Sequence, residues 1–346
     1  MSVDQRHRLI LRRVRDRGSA RLADLAEELG VSAVTLRRDV ERLAARGLLS
    51  RVHGGVTLPR EIDAPAPAGP PPTIGMLVPT ARYYYPGVIE GARERAAALG
   101  ARLVLGISHY EDSEDRAQVR QLVEEGADGL LLSLSGQPGE ACAEWLAGLR
   151  VPAVLVERRA EFAGRASLLD AVASDHAHGA YLAVRHLAEL GHRALAVVAN
   201  PSPTTPRIRA GVLAGAAAMG LDAPAEIVVD RAQAPEELVR DVLRLIRDSG
   251  VTGLLVHNDE DALSLVRHLN AAGVDIPGEV SLVAYDDEVA EFCTPSLTAV
   301  APPKEEAGRS AVDLLVARLE RPGATIRHVA LLPELRVRES TAPLSI

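Results

Sequence analysis

Residues 32–55 read SAVTLRRDVERLAARGLLSRVHGG. Ser32 supplies a side-chain oxygen before an amphipathic run and predicts the N-cap of a helix over about 33–46. Val34, Leu36, Val40, Leu43 and Ala44 recur at helical spacing and form its inner face. Thr35, Arg37, Arg38 and Arg42 are left outside. Beyond Leu48 and Leu49, a short basic strand, Arg51-Val52-His53, runs into a Gly54-Gly55 turn and predicts a hairpin wing. Working upstream, a first helix covers roughly 4–17, with Leu9, Ile10 and Val14 on one face. A second spans about 21–29, with Leu22, Leu25, Ala26 and Leu29 inside. Gly18 and Gly30 end them. A helix, a glycine turn, a helix with a polar edge and a basic wing suit the major groove of duplex DNA. Arginine serves both bidentate contacts to guanine and contacts to phosphate. An isolated arginine run would be a solvated face; the turn, cap and wing together point to nucleic acid.

The charge distribution agrees. The 346-residue chain has a formal net charge of −8, which by itself argues against DNA. Yet residues 1–60 hold 13 arginines against 7 acidic residues, a net of +6, and residues 61–346 hold 26 basic against 40 acidic, a net of −14. Counterion release at phosphates needs positive charge, and here it is confined to one small unit. The acidic remainder is repelled by DNA.

Apolar residues make up 47% of the chain, an ordinary globular composition. No apolar run reaches the ~20 residues that span a bilayer. The opening MSVDQRHRLILRRVR is too charged for a secretory signal, so the expected location is the cytoplasm. The two cysteines, Cys142 and Cys293, are far apart and read as buried thiols in a reducing compartment. Neither belongs to a CxxC pair and the ten histidines are scattered, so no metal and no cofactor are expected. Residues 59–72, PREIDAPAPAGPPP, contain six prolines. They predict an extended linker that, at ~3.1 Å per residue, spans roughly 40 Å.

From Thr73 the pattern changes to strands alternating with helices. Strands are expected at Ile74–Val78, Arg102–Ile107, Gly129–Ser133 and Ala153–Val156, separated by helices near 87–99, 114–125 and 140–148. A second series follows, with strands near Ala194–Ala199, Glu226–Val229, Gly253–Val256 and Ser281–Ala284, and helices near 177–190, 208–219, 235–248 and 260–272. Such alternation predicts an α/β fold of two lobes with parallel sheets covered on both faces. Ligands of such folds bind beyond the carboxyl ends of the strands.

The residues after those strand ends are polar. Val78 leads to Tyr83-Tyr84-Tyr85, a third of the nine aromatics, whose flat rings suit sugar faces or bases. Ile107 leads to His109, Tyr110 and Asp112; Val156 to Glu157, Arg158 and Arg159; Val256 to His257, Asn258 and Asp259; Ala284 to Tyr285, Asp286 and Asp287. Carboxylates, an amide and a guanidinium meeting in one crevice supply the donors and acceptors that a polyhydroxylated ligand needs. Singly, each could be an ordinary loop residue or helix cap.

The first 58 residues resemble the DeoR-type winged helix-turn-helix, through Arg6, Leu22-Ala23-Asp24-Leu25-Ala26, Gly30-Val31-Ser32, Val34-Thr35-Leu36-Arg37-Arg38-Asp39, Gly47-Leu48 and Arg51-Val52-His53-Gly54-Gly55. The resemblance implies that Thr35, Arg37 and Arg38 lie at the DNA and that Arg51 and His53 on the wing touch phosphate or minor groove; Ser32, Arg42 and Gly54 join them as candidates. Asp39 is expected to cap or pair locally. Residues from about 73 to 340 resemble the sensor of LacI/GalR-type regulators, which has the type I periplasmic-binding-protein fold. That likeness rests on Ile74-Gly75, Pro152-Ala153-Val154-Leu155-Val156, Asp175 with Gly179-Ala180, His186-Leu187, Gly191-His192-Arg193, Asn258-Asp259, Tyr285-Asp286-Asp287, Pro295-Ser296-Leu297-Thr298 and Gly308. By position it implies ligand contacts at Tyr83, Tyr84, Tyr85, Arg158, Asp175, Asn258 and Asp286; Asp112 and Asp259 join them as candidates. The family's arginine three residues before a glycine would fall at Ile208, flanked by Arg207 and Arg209, so a displaced contact from either is expected. Glu157 stands where the family often has aspartate. The family's minor-groove hinge helix has no counterpart in the proline-rich segment.

The resulting expectation is three segments: 1–58 winged helix-turn-helix, 59–72 linker, and 73–346 sensor. Within the sensor, one lobe is placed at about 73–173 and 303–324 and the other at about 174–298 and 325–340. The expected protein is a dimeric transcriptional repressor governed by an unphosphorylated sugar, because no Gly-rich phosphate loop or dense basic cluster is evident. A solute-binding protein without a DNA role is the alternative. No G-x-S-x-G elbow supports an enzyme.

Overall fold

The computed structural model describes residues 6–7, 9–11, 13–14, 19–45, 49–52, 55–57, 71–138, 140–159, 168–230 and 234–344. The chain divides into two compact units, Met1–Pro70 and Pro71–Ile346. His53, Gly54 and most of the proline-rich segment lie outside the described residues.

In the small unit the described positions among residues 6–14 are helical. They are followed by β1 (Ser19–Arg21), α1 (Leu22–Glu28), α2 (Ala33–Ala45), β2 (Ser50–Val52) and β3 (Gly55–Thr57). The strands form one antiparallel sheet in the order β1-β3-β2. The core is Ile10, Val14, Leu25, Leu36, Val40, Leu43, Leu49 and Val56. Leu9, expected inside, is 38% exposed, because the buried stripe runs through Ile10 and Val14, four residues apart. β1 was not anticipated. It exists because it pairs with the returning wing strand, a contact between residues far apart in sequence. That pairing is close: a Cβ on Gly55 would stand 2.7 Å from the Ala20 carbonyl oxygen.

Among the described residues, the large unit holds two six-stranded sheets. The first is built from β4 (Thr73–Val78), β5 (Arg102–Ile107), β6 (Gly129–Leu132), β7 (Ala153–Val156), β8 (Asp170–Ser174) and β14 (His328–Leu331), in the order β14-β8-β7-β6-β4-β5, all parallel. The second uses β9 (Leu195–Ala199), β10 (Ala225–Val228), β11 (Gly253–His257), β12 (Ser281–Tyr285), β13 (Thr298–Ala301) and β15 (Glu334–Arg336), in the order β10-β9-β11-β12-β13-β15. Its edge strand β15 runs antiparallel to β13, so this sheet is mixed. The helices are α3 (Tyr85–Ala98), α4 (Asp112–Glu124), α5 (Glu140–Ala147), α6 (His176–Glu189), α7 (Thr205–Ala218), α8 (Pro235–Ser249), α9 (Asp259–Ala271) and α10 (Lys304–Glu320). Prolines at the first turns of α3, α7 and α8 remove no needed donor and preset φ for the helix.

Each sheet is buried on both faces. Val78, Val154 and Val172 pack under α3 and α10, while Leu77, Leu130 and Leu155 face the other side. The second lobe repeats the arrangement, with one core under α8 and α9 and another under α6 and α7. The sequence reading placed residues 325–340 in the second lobe. The structure divides them: β14 pairs with β8 in the first sheet and β15 with β13 in the second. The chain therefore crosses between lobes after β8, after β13 and between β14 and β15. Among the described residues, no helix is long and apolar enough to cross a membrane.

Candidate functional site

In the small unit, α2 carries the polar edge read from the sequence. Ser32 Oγ accepts the Thr35 N–H at 3.2 Å and lies 2.9 Å from Thr35 Oγ1, which fixes the helix start. Ser32, Arg38 and Arg42 are exposed and Thr35 half-buried. Arg37 lies on α2 and Arg51 on β2, with side chains outside the described residues. Asp39 is buried at 2% exposure and accepts from Arg6 Nε and, at 3.0 Å, His7 Nε2. Burial pushes its carboxyl upward, but the hydrogen bonds from Arg6 and His7 outweigh it and hold the carboxyl below the usual range. Asp39 thus ties the first helical residues to α2, while Arg38 and Arg42 stay exposed.

In the large unit, the carboxyl ends of both sheets surround a cavity of about 510 Å³. Tyr83, Tyr84, Tyr85, Tyr110, Glu157 and Arg158 line it from the first lobe. His176, the Asn200–Thr204 loop, His257, Asn258 and Asp286 line it from the second. Left-handed backbone marks the same place: the described non-glycine residues with positive φ are Tyr83, His109, Tyr110, Glu157, Asp286 and Asp287. All six follow β4, β5, β7 or β12. Such conformations cost of order 1–3 kcal/mol each and gather where side chains must be aimed.

Arg158, 3% exposed, is anchored to the protein through all three guanidinium nitrogens. Nε donates to Leu134 O at 2.6 Å, Nη1 to Glu157 O at 2.8 Å and Nη2 to Tyr85 Oη at 3.2 Å. Glu157 accepts from Ser174 N–H at 3.1 Å and Ser174 Oγ at 2.9 Å, with His176 Nε2 at 3.5 Å. Burial opposes its charge, yet His176 and Ser174 hold its carboxyl below the usual range. His176 Nδ1 lies 3.3 Å from Tyr285 Oη, which itself donates to the His176 carbonyl at 3.1 Å.

Across the cleft, Tyr83 Oη donates to the Asp259 carboxylate and, at 3.2 Å, to Asp286 Oδ2. Burial raises the Asp286 carboxyl to about 7, against the pull of Lys304 and His176. Lys304, the chain's single lysine, donates to the Asp286 carbonyl, pairs with Glu288 at 2.5 Å and sits 5.3 Å above the Tyr84 ring. Gln137 Nε2 donates to Pro203 O at 2.7 Å, a second bridge between lobes. Among the described residues, no group of three His, Cys, Asp or Glu side chains is arranged to hold a metal ion.

Tyr83, Tyr84, Tyr85, Arg158, Asn258 and Asp286 thus meet in one cavity, while five other candidates lie elsewhere. Asp175 is the N-cap of α6, accepting the His178 N–H at 3.1 Å. Asp259 is fully buried beneath the cleft and accepts the N–H groups of Glu288, Val289 and Ala290. Asp112 opens α4 and does not line the cavity. Arg207 and Arg209 do not line it either; Arg209 pairs with Glu226 of β10. The reason is helical phase: Ile208 faces the core at 1% exposure, so its neighbours point away from that direction. Tyr110, Glu157 and His257 were read among the polar residues after strand ends without being placed among the ligand contacts, and His176, Asn200, Ser202 and Thr204 were not selected from the sequence. His257 ends a strand beside Asn258, which was the available signal; the Asn200–Thr204 loop carried none.

The comparisons with known proteins follow this geometry. The family model of the DeoR-like helix-turn-helix domain matches residues 6–61, and that of the periplasmic binding protein-like domain matches 184–341. The chain is 25% identical over 334 residues to the arabinose metabolism transcriptional repressor of Geobacillus stearothermophilus, covering 92% of this chain and 90% of that protein. It is 28% identical over 280 residues to the transcriptional repressor PurR of Escherichia coli O1:K1 / APEC, covering 78% and 80%. A LacI-family transcriptional regulator from Enterococcus faecium, solved with bound ribose, superposes with a TM-score of 0.65 at 26% identity over 79% of this chain and all of that one. Residues 6–61 are therefore a DeoR-like helix-turn-helix domain, and the large unit carries the periplasmic binding protein-like fold of LacI-family transcriptional regulators.

Proposed function

We propose that this protein is a sequence-specific DNA-binding transcriptional repressor whose grip on its operator is set by a small unphosphorylated carbohydrate held between the two lobes. The observation that carries this reading is the presence in one chain of a DeoR-like helix-turn-helix domain and a tyrosine-lined interlobe cavity of about 510 Å³. The names of its relatives support it, as does the ribose bound to the E. faecium regulator. Arg37, Arg38 and Arg42 of α2 read or grip the duplex, and Arg51, His53 and Gly54 of the wing contact phosphate or minor groove. The tyrosines stack on the sugar while Arg158, Asn258 and Asp286 meet its hydroxyls. Ligand favours one interlobe arrangement over another, and a coupling of only ~1–3 kcal/mol changes operator affinity. The protein works as a homodimer in the cytoplasm, on a two-fold operator, by binding and without turnover of the sugar. A solute-binding role is disfavoured by the helix-turn-helix domain.

Fluorescence anisotropy with DNA from upstream of the gene tests this. Specific binding at low salt is expected, released by one member of a sugar panel. The double variant Arg37→Ala/Arg38→Ala is expected to lose at least about 30-fold in operator affinity while its sugar affinity is unchanged. Absence of any sequence-specific complex overturns the reading.

A further inference from the structure

Among the described residues, one buried side-chain polar atom has no hydrogen-bond partner: Nδ1 of His257. Native interiors pair such atoms, and an orphan is costly unless something else supplies the bond. The His257 ring is 5% exposed and lines the interlobe cavity, packed edge-on against Tyr285 with centroids 5.5 Å apart. The cavity is therefore where a partner would come from.

The surroundings restrict that partner. Among the described residues, the one guanidinium lining the cavity is that of Arg158, and each of its three nitrogens is bonded to protein. Lys304 is held by the Asp286 carbonyl and Glu288. Two carboxyl groups, Glu157 and Asp286, line the same space. An anionic ligand would meet these carboxyls, and the two described cations beside them, Arg158 and Lys304, are already engaged with protein acceptors.

We infer that His257 selects the ligand in this cleft: its Nδ1 exchanges a hydrogen bond with a hydroxyl of an uncharged polyol, and phosphorylated or carboxylated sugars are excluded. This rests on the sensor reading above and adds the selecting residue and the exclusion of carboxylated sugars. Burial and the nearby His176 push the His257 imidazole down to about 3, so the ring stays neutral at physiological pH. One ring nitrogen is then a donor and the other an acceptor, and a hydroxyl matches either tautomer because it can give or accept.

The test is calorimetry and thermal shift on the full chain with two panels. One holds neutral sugars such as D-ribose, L-arabinose and cellobiose; the other holds sugar phosphates and aldonates such as glucose 6-phosphate and gluconate. A neutral sugar is expected to bind and no anion to bind comparably. His257→Phe keeps a flat ring without nitrogen and is expected to weaken that sugar about 10-fold or more. His257→Asn, which places an amide near the lost Nδ1, is expected to recover most of the loss. If His257→Phe melts well below wild type, His257→Ala replaces it in the comparison. Unchanged sugar affinity in a folded His257→Phe or His257→Ala protein overturns the inference and leaves the sensor reading intact. So does a sugar phosphate or aldonate that binds more tightly than every neutral sugar. Binding by neither panel, with operator binding intact, removes the sugar-sensor half of the proposed function and this inference with it.

Discussion

Asp286 concentrates the chemistry of the cleft in one side chain. It follows β12 in a left-handed conformation (φ 89°), lines the cavity and accepts from Tyr83 Oη across the lobes. Burial raises its carboxyl to about 7, with Asp259 adding to the rise and Lys304, His176 and Tyr83 opposing it. The folded chain therefore holds this proton more tightly than the unfolded chain, whose aspartates titrate near 3.9. The sign follows: the contribution to stability is greatest at low pH and is lost as pH rises through 7. Between pH 5 and pH 8 wild type is expected to lose about 2–3 kcal/mol relative to Asp286→Asn. Urea unfolding of both proteins at the two pH values measures it; parallel pH profiles would refute the assignment. The polar character of Asp286 and its place after a strand were legible in the sequence. Its protonation was not, because that depends on Tyr83, Asp259 and Lys304, which arrive from distant parts of the chain.

Helix packing sets where the cavity walls stand. α6 and α7 cross so closely that a Cβ on Gly211 would lie 2.0 Å from the Ala177 carbonyl oxygen. α3 and α10 meet the same way, with Gly91 against Glu305 O at 1.9 Å and Gly308 against Val88 O at 2.0 Å. Because these neighbours are backbone, a side chain cannot be accommodated by a rotamer change. Gly211→Ala is expected to cost about 1–3 kcal/mol through overpacking, and to displace the start of α7 with the Ser202 and Thr204 side of the cavity. Thermal melting together with sugar affinity checks it; a neutral effect on both would contradict the close approach. Periodicity located α3 to α9 within a few residues. It missed β8, β13, β14 and β15, which are short or polar-interrupted and are strands by virtue of their neighbours. Edge strands such as β14, with its alternating exposure, carry too little apolar signal to be recognised without the sheet that receives them.

At the level of the two lobes, Tyr83 is a latch. Its hydroxyl reaches Asp259 and Asp286 in the opposite lobe, and Gln137 to Pro203 and Lys304 to Glu288 add further bridges. A closed arrangement is thus partly stabilised by the protein's own side chains. Tyr83→Phe removes only the hydroxyl and leaves two buried carboxyls without that donor. It is expected to lower the affinity of the cognate sugar about 10-fold and to speed backbone hydrogen exchange in residues 81–86 and 286–290. Unaltered exchange in both segments would argue against a latch.

The local signals along the chain were enough for the helix-turn-helix unit, the alternation of strand and helix, and the polar loops at strand ends. Each is written in spacing, caps and charge over a few consecutive residues, and the DeoR-like and LacI-like motifs are of that kind. Long-range contact had to assign the rest. Which loop residues face the cavity depends on helix phase and on the pairing of segments more than a hundred residues apart. That is why Arg209 turned to Glu226 and His257 emerged with an unpaired nitrogen. A sequence carries the chemistry of each side chain, but the direction in which it points is a property of packing.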